Sequence, residues 1–247
     1  VFGIYFHIFS QIVFNQVIVV YKYFMIPIFI GYDTKEAIAY HTCVNSIIRH
    51  SSEPVAITPL ALNLLNGYSE NHLDGSNTFT YTRFLVPRLA NNQGWAIYID
   101  GDMILKDDIS KLWSLRDDRK AVMVVKHDYK TKSPTKYTGS KNLDYPRKNW
   151  SSVILWNCSH PKNLTLTQTY IKNTSGKYIH RFCWLDDNDI GSLPIEWNWL
   201  PDEYGINTDA KLLHYTLGTP CFDKSSVGPM ADEWHRERIL TNHATQI

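Results

Sequence analysis

Two carboxylates separated by one glycine, Asp100-Gly101-Asp102, stand directly after the apolar run Ala96-Ile97-Tyr98-Ile99. Held that close, two carboxylates repel unless a cation bridges them, and oxygen ligands suit Mg²⁺ or Mn²⁺. An Asp-x-Asp triplet is expected about once by composition in a chain of this size, and Asp187-Asn188-Asp189 is a second example. Position distinguishes the first. It follows a predicted strand, and open α/β sheets bind ligands beyond the carboxyl ends of their strands. The competing reading is a polar turn closing a strand. His214, after Leu212-Leu213, offers a neutral imidazole as a third ligand; its alternative is a core histidine bonded to a backbone carbonyl. Gly218 and Pro220 beyond it predict a fixed turn able to turn backbone N–H groups toward phosphate.

Three further groups are candidates. Asp186-Asp187-Asn188-Asp189 is either a helix cap or a set of polar contacts to a sugar. Arg83 lies on a predicted helix ahead of the Asp-x-Asp strand. Lys126-His127-Asp128 ends the apolar run Ala121–Val125, so the strand-end rule applies to it as well.

The elements that must position these groups alternate between strand and helix. Ile26–Ile30 predicts a buried strand ending at Gly31. Asp33 to Glu36 has capping-box spacing, and Ala37, Ile38, Cys43, Val44, Ile47 and Ile48 follow at helical spacing. Val55–Thr58 predicts the next strand, giving the βαβ opening of an α/β sheet. Thr78–Leu89 predicts a second helix; Ala96–Ile99, Ala121–Val125 and Ser152–Leu155 predict strands, and Ala231–Leu240 a last helix. Residues 130–148, polar and basic, predict a long surface loop of the kind that often carries function.

Composition narrows the classes. The chain has 247 residues with a net charge of +1, which argues against broad nucleic-acid binding. Its four cysteines lie far apart, with no Cys-x-x-Cys pair for a structural zinc. They favour a reducing compartment, and the expected location is the cytoplasm, with peripheral membrane association left open. Residues 1–24 are apolar and nearly uncharged: an upstream extension, an ordinary buried segment, or an anchor whose apolar run Ser10, Gln11, Asn15 and Gln16 interrupt. The expected domain is 25–247.

In order along the chain, these motifs resemble glycosyltransferase family 8, the glycogenin-like and lipopolysaccharide hexosyltransferase group. Phe29-Ile30-Gly31-Tyr32-Asp33 is similar to the family's first strand and turn, and Tyr81-Thr82-Arg83-Phe84-Leu85-Val86-Pro87 to its Tyr-x-Arg helix. Tyr98 to Leu105, with Asp108-Ile109 and Leu112-Trp113, resembles its Asp-x-Asp segment. Asp187-Asn188-Asp189-Ile190 falls where the family carries Asp-Gln-Asp, and His214-Tyr215-Thr216 where its metal-binding His stands. The resemblance implies a single α/β domain of GT-A type, a Rossmann-like mixed sheet flanked by helices. It implies hexose transfer, with retention, from a nucleotide-sugar donor, expected to be UDP-linked, to a sugar or glycan acceptor. It places Mn²⁺ or Mg²⁺ on Asp100, Asp102 and His214, the nucleotide and its diphosphate against Tyr32, Asp33 and Gly218, and the donor sugar among Arg83, Asp128, Asp187 and Asn188. Asn188 stands at the Gln position, and an amide is a poor nucleophile, so same-face attack with Asp187 as electrostatic support is expected. Two departures mark a diverged member. Trp150-Ser151-Ser152 replaces the family's Asn-(Ser/Ala)-Gly, and Thr219 replaces its diphosphate-binding Lys, leaving Lys224, Lys126 or a lysine of the 130–148 loop as substitutes. The alternatives are a nucleotidyltransferase acting on sugar phosphates and a non-catalytic nucleotide- or carbohydrate-binding protein.

Overall fold

The computed structural model describes residues 25–242, apart from 74, 76, 136–141 and 143. The segment 1–24 and its expected role lie outside the described residues. The strands are β1 (Ile26–Tyr32), β2 (Val55–Ala61), β3 (Trp95–Ile99), β4 (Met103–Leu105), β5 (Val122–Val125), β6 (Val153–Asn157), β7 (Ile190–Leu193) and β8 (Leu212–His214). The helices are α1 (Ala37–His50), α2 (Val86–Leu89), α3 (Ile109–Trp113), α4 (Gln168–Asn173), α5 (Gly176–Ile179), α6 (Pro201–Tyr204) and α7 (Ala231–Asn242).

Six strands form one mixed sheet in the order β2-β1-β3-β6-β5-β7, and β4 and β8 pair as a separate ribbon. β6 runs against β3 and β5, while the β2–β1, β1–β3 and β5–β7 pairs are parallel. The carboxyl ends of β1, β3, β5 and β7 therefore share one edge.

The apolar runs are continuous rather than alternating because both faces of the sheet are covered. Ile28, Ile30, Ile97, Ile99, Val153 and Leu155 pack on one face with Cys43 and Ile47 of α1. Their neighbours Phe29, Tyr98, Ile154 and Trp156 pack on the other with Phe84 and Phe182. Successive side chains point to opposite faces, so each strand serves both cores. A third cluster, Ile104, Leu213, Tyr215 and Trp234, seals the β4–β8 ribbon against α7.

The single helix expected over Thr78–Leu89 is instead a turn, a 3₁₀ segment (Thr82–Leu85) and the one-turn α2. Pro87 has no N–H to give the carbonyl of Arg83, so an α-helix cannot run through it, but the first turn of a helix tolerates it. β4, β7 and β8 were not predicted as strands; each has only three or four residues.

Candidate active site

β3 delivers Asp100 to the shared edge, where its N–H bonds the carbonyl of Ser152 (3.1 Å). Tyr98, two residues earlier and so on the same face, donates its hydroxyl to Asp100 Oδ1 (2.5 Å). Arg83 approaches the same carboxylate at 2.9 Å. Arg83 is itself fixed by the carbonyls of Ser151 (2.8 Å) and Thr80 (3.1 Å). Burial pulls the Arg83 guanidinium down, but Asp100, Tyr98 and Asp102 together hold it above its ordinary value. For Asp100 burial is the largest influence and pushes the carboxyl up; Arg83 opposes it and Asp102 adds to it.

Gly101 makes the next step possible. A Cβ there would lie 2.3 Å from the carbonyl oxygen of Gly31, so the turn after β3 presses directly on the end of β1. Past that contact the chain enters β4, whose Met103 pairs with His214 of β8. That register sets the imidazole beside Asp102. Nε2 of His214 lies 3.4 Å from Asp102 Oδ1 and 3.9 Å from Asp100 Oδ2. One ligand atom from each of the three residues lies within 4.8 Å of the others, with Asp100 and His214 buried.

The tautomer of neutral His214 is set from its other side. Nδ1 lies 2.9 Å from Oδ1 of Asn198, and the Asn198 amide nitrogen donates to the carbonyl of Asn149 (3.2 Å). With the amide so oriented, Nδ1 carries the hydrogen and donates it. In the neutral ring Nε2 then turns a lone pair toward two carboxylates. That arrangement calls for a cation between them, and an O,O,N donor set fits Mn²⁺ or Mg²⁺. Asn198 is fully buried and stands where an outer partner would orient a metal-ligating histidine. Its sequence signal is slight: one amide between two tryptophans.

A cavity of about 640 Å³ opens on the cluster, lined by Arg83, Asp100, Asp102 and His214 together with Tyr145, Lys148, His180 and Arg181. A volume of that size suits a small-molecule ligand. None of the last four was singled out individually from the sequence, although Tyr145 and Lys148 fall in the predicted functional loop.

Other expected site residues are placed differently. Tyr32 ends β1 beside the Asp-x-Asp turn, its ring edge-on to Tyr40 at 5.2 Å. Asp33 is buried with its carboxylate accepting the N–H groups of Lys35 and Thr78, each at 2.9 Å, so it ties down the chain before Arg83. Asp128 is exposed at the end of β5 and does not line the cavity. His127 is the buried residue there. Gly218 adopts φ +148, which favours glycine, but its N–H bonds the Tyr215 carbonyl (3.0 Å) and it lines a smaller cavity with Asp202 and Lys224.

Asp187 and Asn188 are not brought to the cluster. They precede β7, whereas Asp100 follows β3, and the hydrogen-bond ladder sets Asp189 level with Ala121, Asn157 and Trp95. The five residues from Trp95 to Asp100 span about 16 Å along the strand direction. Asp187 is exposed and paired with Arg147, and the Asn188 carbonyl accepts from Lys120 (2.7 Å). The Asp186–Asp189 turn is a capping box, the structural reading of that cluster.

A mixed sheet with an Asp-x-Asp turn at its strand-end edge defines the class: a GT-A glycosyltransferase. Comparison with known proteins gives the family. The sequence matches the family described as Glycosyl transferase family 8 over residues 5–219, and the chain belongs to it. It is 42% identical over 219 residues to Protein CDI of Arabidopsis thaliana, covering 85% of each chain. In structure it is similar to the bifunctional glycosyltransferase WbbM (TM-score 0.59, 17% identity, 87% of this chain and 50% of that one). It is similar as well to GlyE of Streptococcus pneumoniae TIGR4 (TM-score 0.58, 17% identity, 87% and 60%). The galactosyltransferase LgtC, solved with donor and acceptor sugar analogues, gives a TM-score of 0.56 at 11% identity over 90% and 98% of the two chains. The chain thus spans half to three-fifths of the WbbM and GlyE chains. Among the described residues no helix is long and apolar enough to cross a membrane.

Proposed function

We propose that the chain transfers a hexose from a nucleotide diphospho-sugar, UDP-linked, to a hydroxyl of a sugar or glycan acceptor, with retention at the anomeric carbon. One observation carries the reading: His214, its Nδ1 held by Asn198, turns Nε2 to two carboxylates that line a ligand-sized cavity. Asp100, Asp102 and His214 hold Mn²⁺ or Mg²⁺, which supplies Lewis-acid neutralisation of the donor diphosphate. Arg83 opposes the upward push of burial on the Asp100 carboxyl and aims it, and Tyr98 holds its second direction. Tyr32 lies at the strand end where the nucleotide would be met.

Same-face attack fits the cavity's carboxylates. Among the described residues these are Asp100, Asp102 and Asp144. The first two belong to the cation site, and Asp144 accepts the N–H of Thr131 (2.9 Å). Asp187, kept as the sequence-based candidate for support of the sugar, would have to act from outside this cavity. A nucleotidyltransferase is less well served. Its phosphate loop after the first strand would meet the buried Asp33 carboxylate.

The test is a screen for nucleoside diphosphate release over a panel of donors, with Mn²⁺ or with a chelator. Release from a UDP-sugar that needs the metal is expected. Release from no donor, with or without acceptor glycans, removes the proposal.

A further inference from the structure

Lys148 lines the same cavity as the Asp-Asp-His cluster and is 6% exposed. It is bracketed by two non-glycine residues in left-handed backbone, Arg147 and Asn149, each at φ +60. Such conformations are costly for residues bearing a Cβ, least so for Asn, and persist where the surroundings enforce them. The consequence is a sorting of side chains. Arg147 runs out to Asp187 and to the carbonyl of Arg181. Asn149 gives its amide to the Tyr129 hydroxyl (2.7 Å) and its carbonyl to Asn198, the residue that orients His214. Lys148 between them turns inward, with Nζ 2.6 Å from Asn142 Oδ1. The same segment goes on to hold Arg83 through the Ser151 carbonyl and Asp100 through that of Ser152. Lys148 thus shares one frame with the cation site.

Charge says what an ammonium is for there. When the donor's C1–O bond breaks, its electron pair passes to a diphosphate oxygen, which gains a negative charge. The acceptor oxygen bonds C1, and its proton passes to the departing diphosphate. A dication held by Asp100 and Asp102 is formally balanced by them, and Arg83 is engaged with Asp100. The developing charge needs another cation. Of the other basic residues lining this cavity, Lys177 is exposed, His180 Nδ1 lies 2.8 Å from the Ser151 hydroxyl, and the Arg181 guanidinium stands 5.8 Å from the centre of the Tyr145 ring. Outside it, Lys126 bonds the Ile190 carbonyl (2.8 Å), and Lys224 is exposed at the smaller cavity. Thr219 is buried with its hydroxyl on Glu36 (3.3 Å). We propose that Lys148 is the cation that receives the charge developing on the leaving diphosphate, an inference that rests on the function proposed above.

Calorimetry with Mn²⁺ and with UDP plus Mn²⁺, alongside donor turnover, tests it in the full chain. Lys148→Met and Lys148→Gln should bind Mn²⁺ alone as the wild type does. They should bind UDP with Mn²⁺ about tenfold more weakly and lose about 100-fold in kcat, with KM less affected, because the contact is strongest in the transition state. Lys148→Gln, one bond shorter, keeps a donor that can turn to Asn142, so it reports if the Met variant does not fold. Lys148→Arg should recover most of both losses. UDP affinity and kcat within about twofold of wild type in the folded uncharged variants overturn the assignment, since a charge-assisted contact of this kind is worth more than that. A wild-type protein that binds no UDP with Mn²⁺ overturns the underlying function as well, which separates the two failures.

Discussion

Asp100 and Asp102 are two residues apart and chemically alike, yet their surroundings give them different duties. Asp100 belongs to a buried ion pair with Arg83 as well as to the cation site; Asp102 has His214 beside it at 3.4 Å. Removing one partner of a buried pair costs about 3–5 kcal/mol because the other charge is left uncompensated. Asp100→Asn should therefore lose both metal binding and roughly that much stability. Asp102→Asn should lose metal-dependent nucleotide binding while its urea midpoint stays close to wild type. Calorimetry and denaturation on the two single variants separate the roles. Unchanged Mn²⁺ and UDP binding in Asp102→Asn would remove it from the site. The grouping of Asp100, Asp102 and His214 was legible in the sequence, because each ends or follows a short apolar run. The same rule misplaced Asp128. A run of apolar residues tells where a strand stops, not which face the next side chain takes, and at the end of β5 His127 took the buried place. Asn198 carries little signal in the sequence, since an amide's value as an orienting group depends on which histidine the fold brings to it.

At the scale of elements, the site depends on a turn in which two strands nearly touch. The 2.3 Å from a Cβ on Gly101 to the Gly31 carbonyl cannot be relieved by rotating a side chain, because the obstacle is backbone. Gly101→Ala must part the ends of β1 and β3 or displace the turn that carries both carboxylates. Overpacking of this kind typically costs 1–3 kcal/mol. A loss of about 2 kcal/mol in urea denaturation is expected together with weaker Mn²⁺ binding. An alanine variant with wild-type stability and metal affinity would show that the contact is not a constraint. Long elements such as α1 and β1 were readable because their periodicity runs over many residues. β4, β7 and β8 were not, since three or four residues carry no period and their pairing partners lie far along the chain. That gap bears on Asp187 and Asn188. Without β7, nothing in the sequence says that they precede a strand rather than follow one, as Asp100 does.

Over the whole molecule, the ligand-binding edge is bought with buried polar groups, and His127 shows the consequence most clearly. Its ring lies against Tyr204 and Tyr129, its Nδ1 bonds the Tyr204 hydroxyl (2.9 Å), and its carbonyl accepts from Trp150. It thereby joins β5 to α6 and to the segment that carries Lys148 and Asn149. Nε2 is buried with no hydrogen-bond partner among the described residues, so the ring is held neutral. Burial, with His214 adding to it, pushes its pKa down from 6.5 to about 3. Between those values the unfolded chain binds a proton that the native protein does not. The stability from this group is present above pH 6.5 and declines as the pH falls toward 3, by about 1.4 kcal/mol per pH unit. Urea denaturation with chelator present, so that the metal site contributes equally, should show about 2 kcal/mol of this loss between pH 7 and pH 5. His127→Gln can keep a bond to Tyr204 and has no titrating ring. Its stability at pH 7 can fall through poorer packing, but its decline from pH 7 to pH 5 should be smaller than that of the wild type by that same amount. Equal declines in the two proteins would mean that His127 takes up its proton without unfolding the edge, and that the neutral ring is not what holds β5, α6 and the Lys148 segment together.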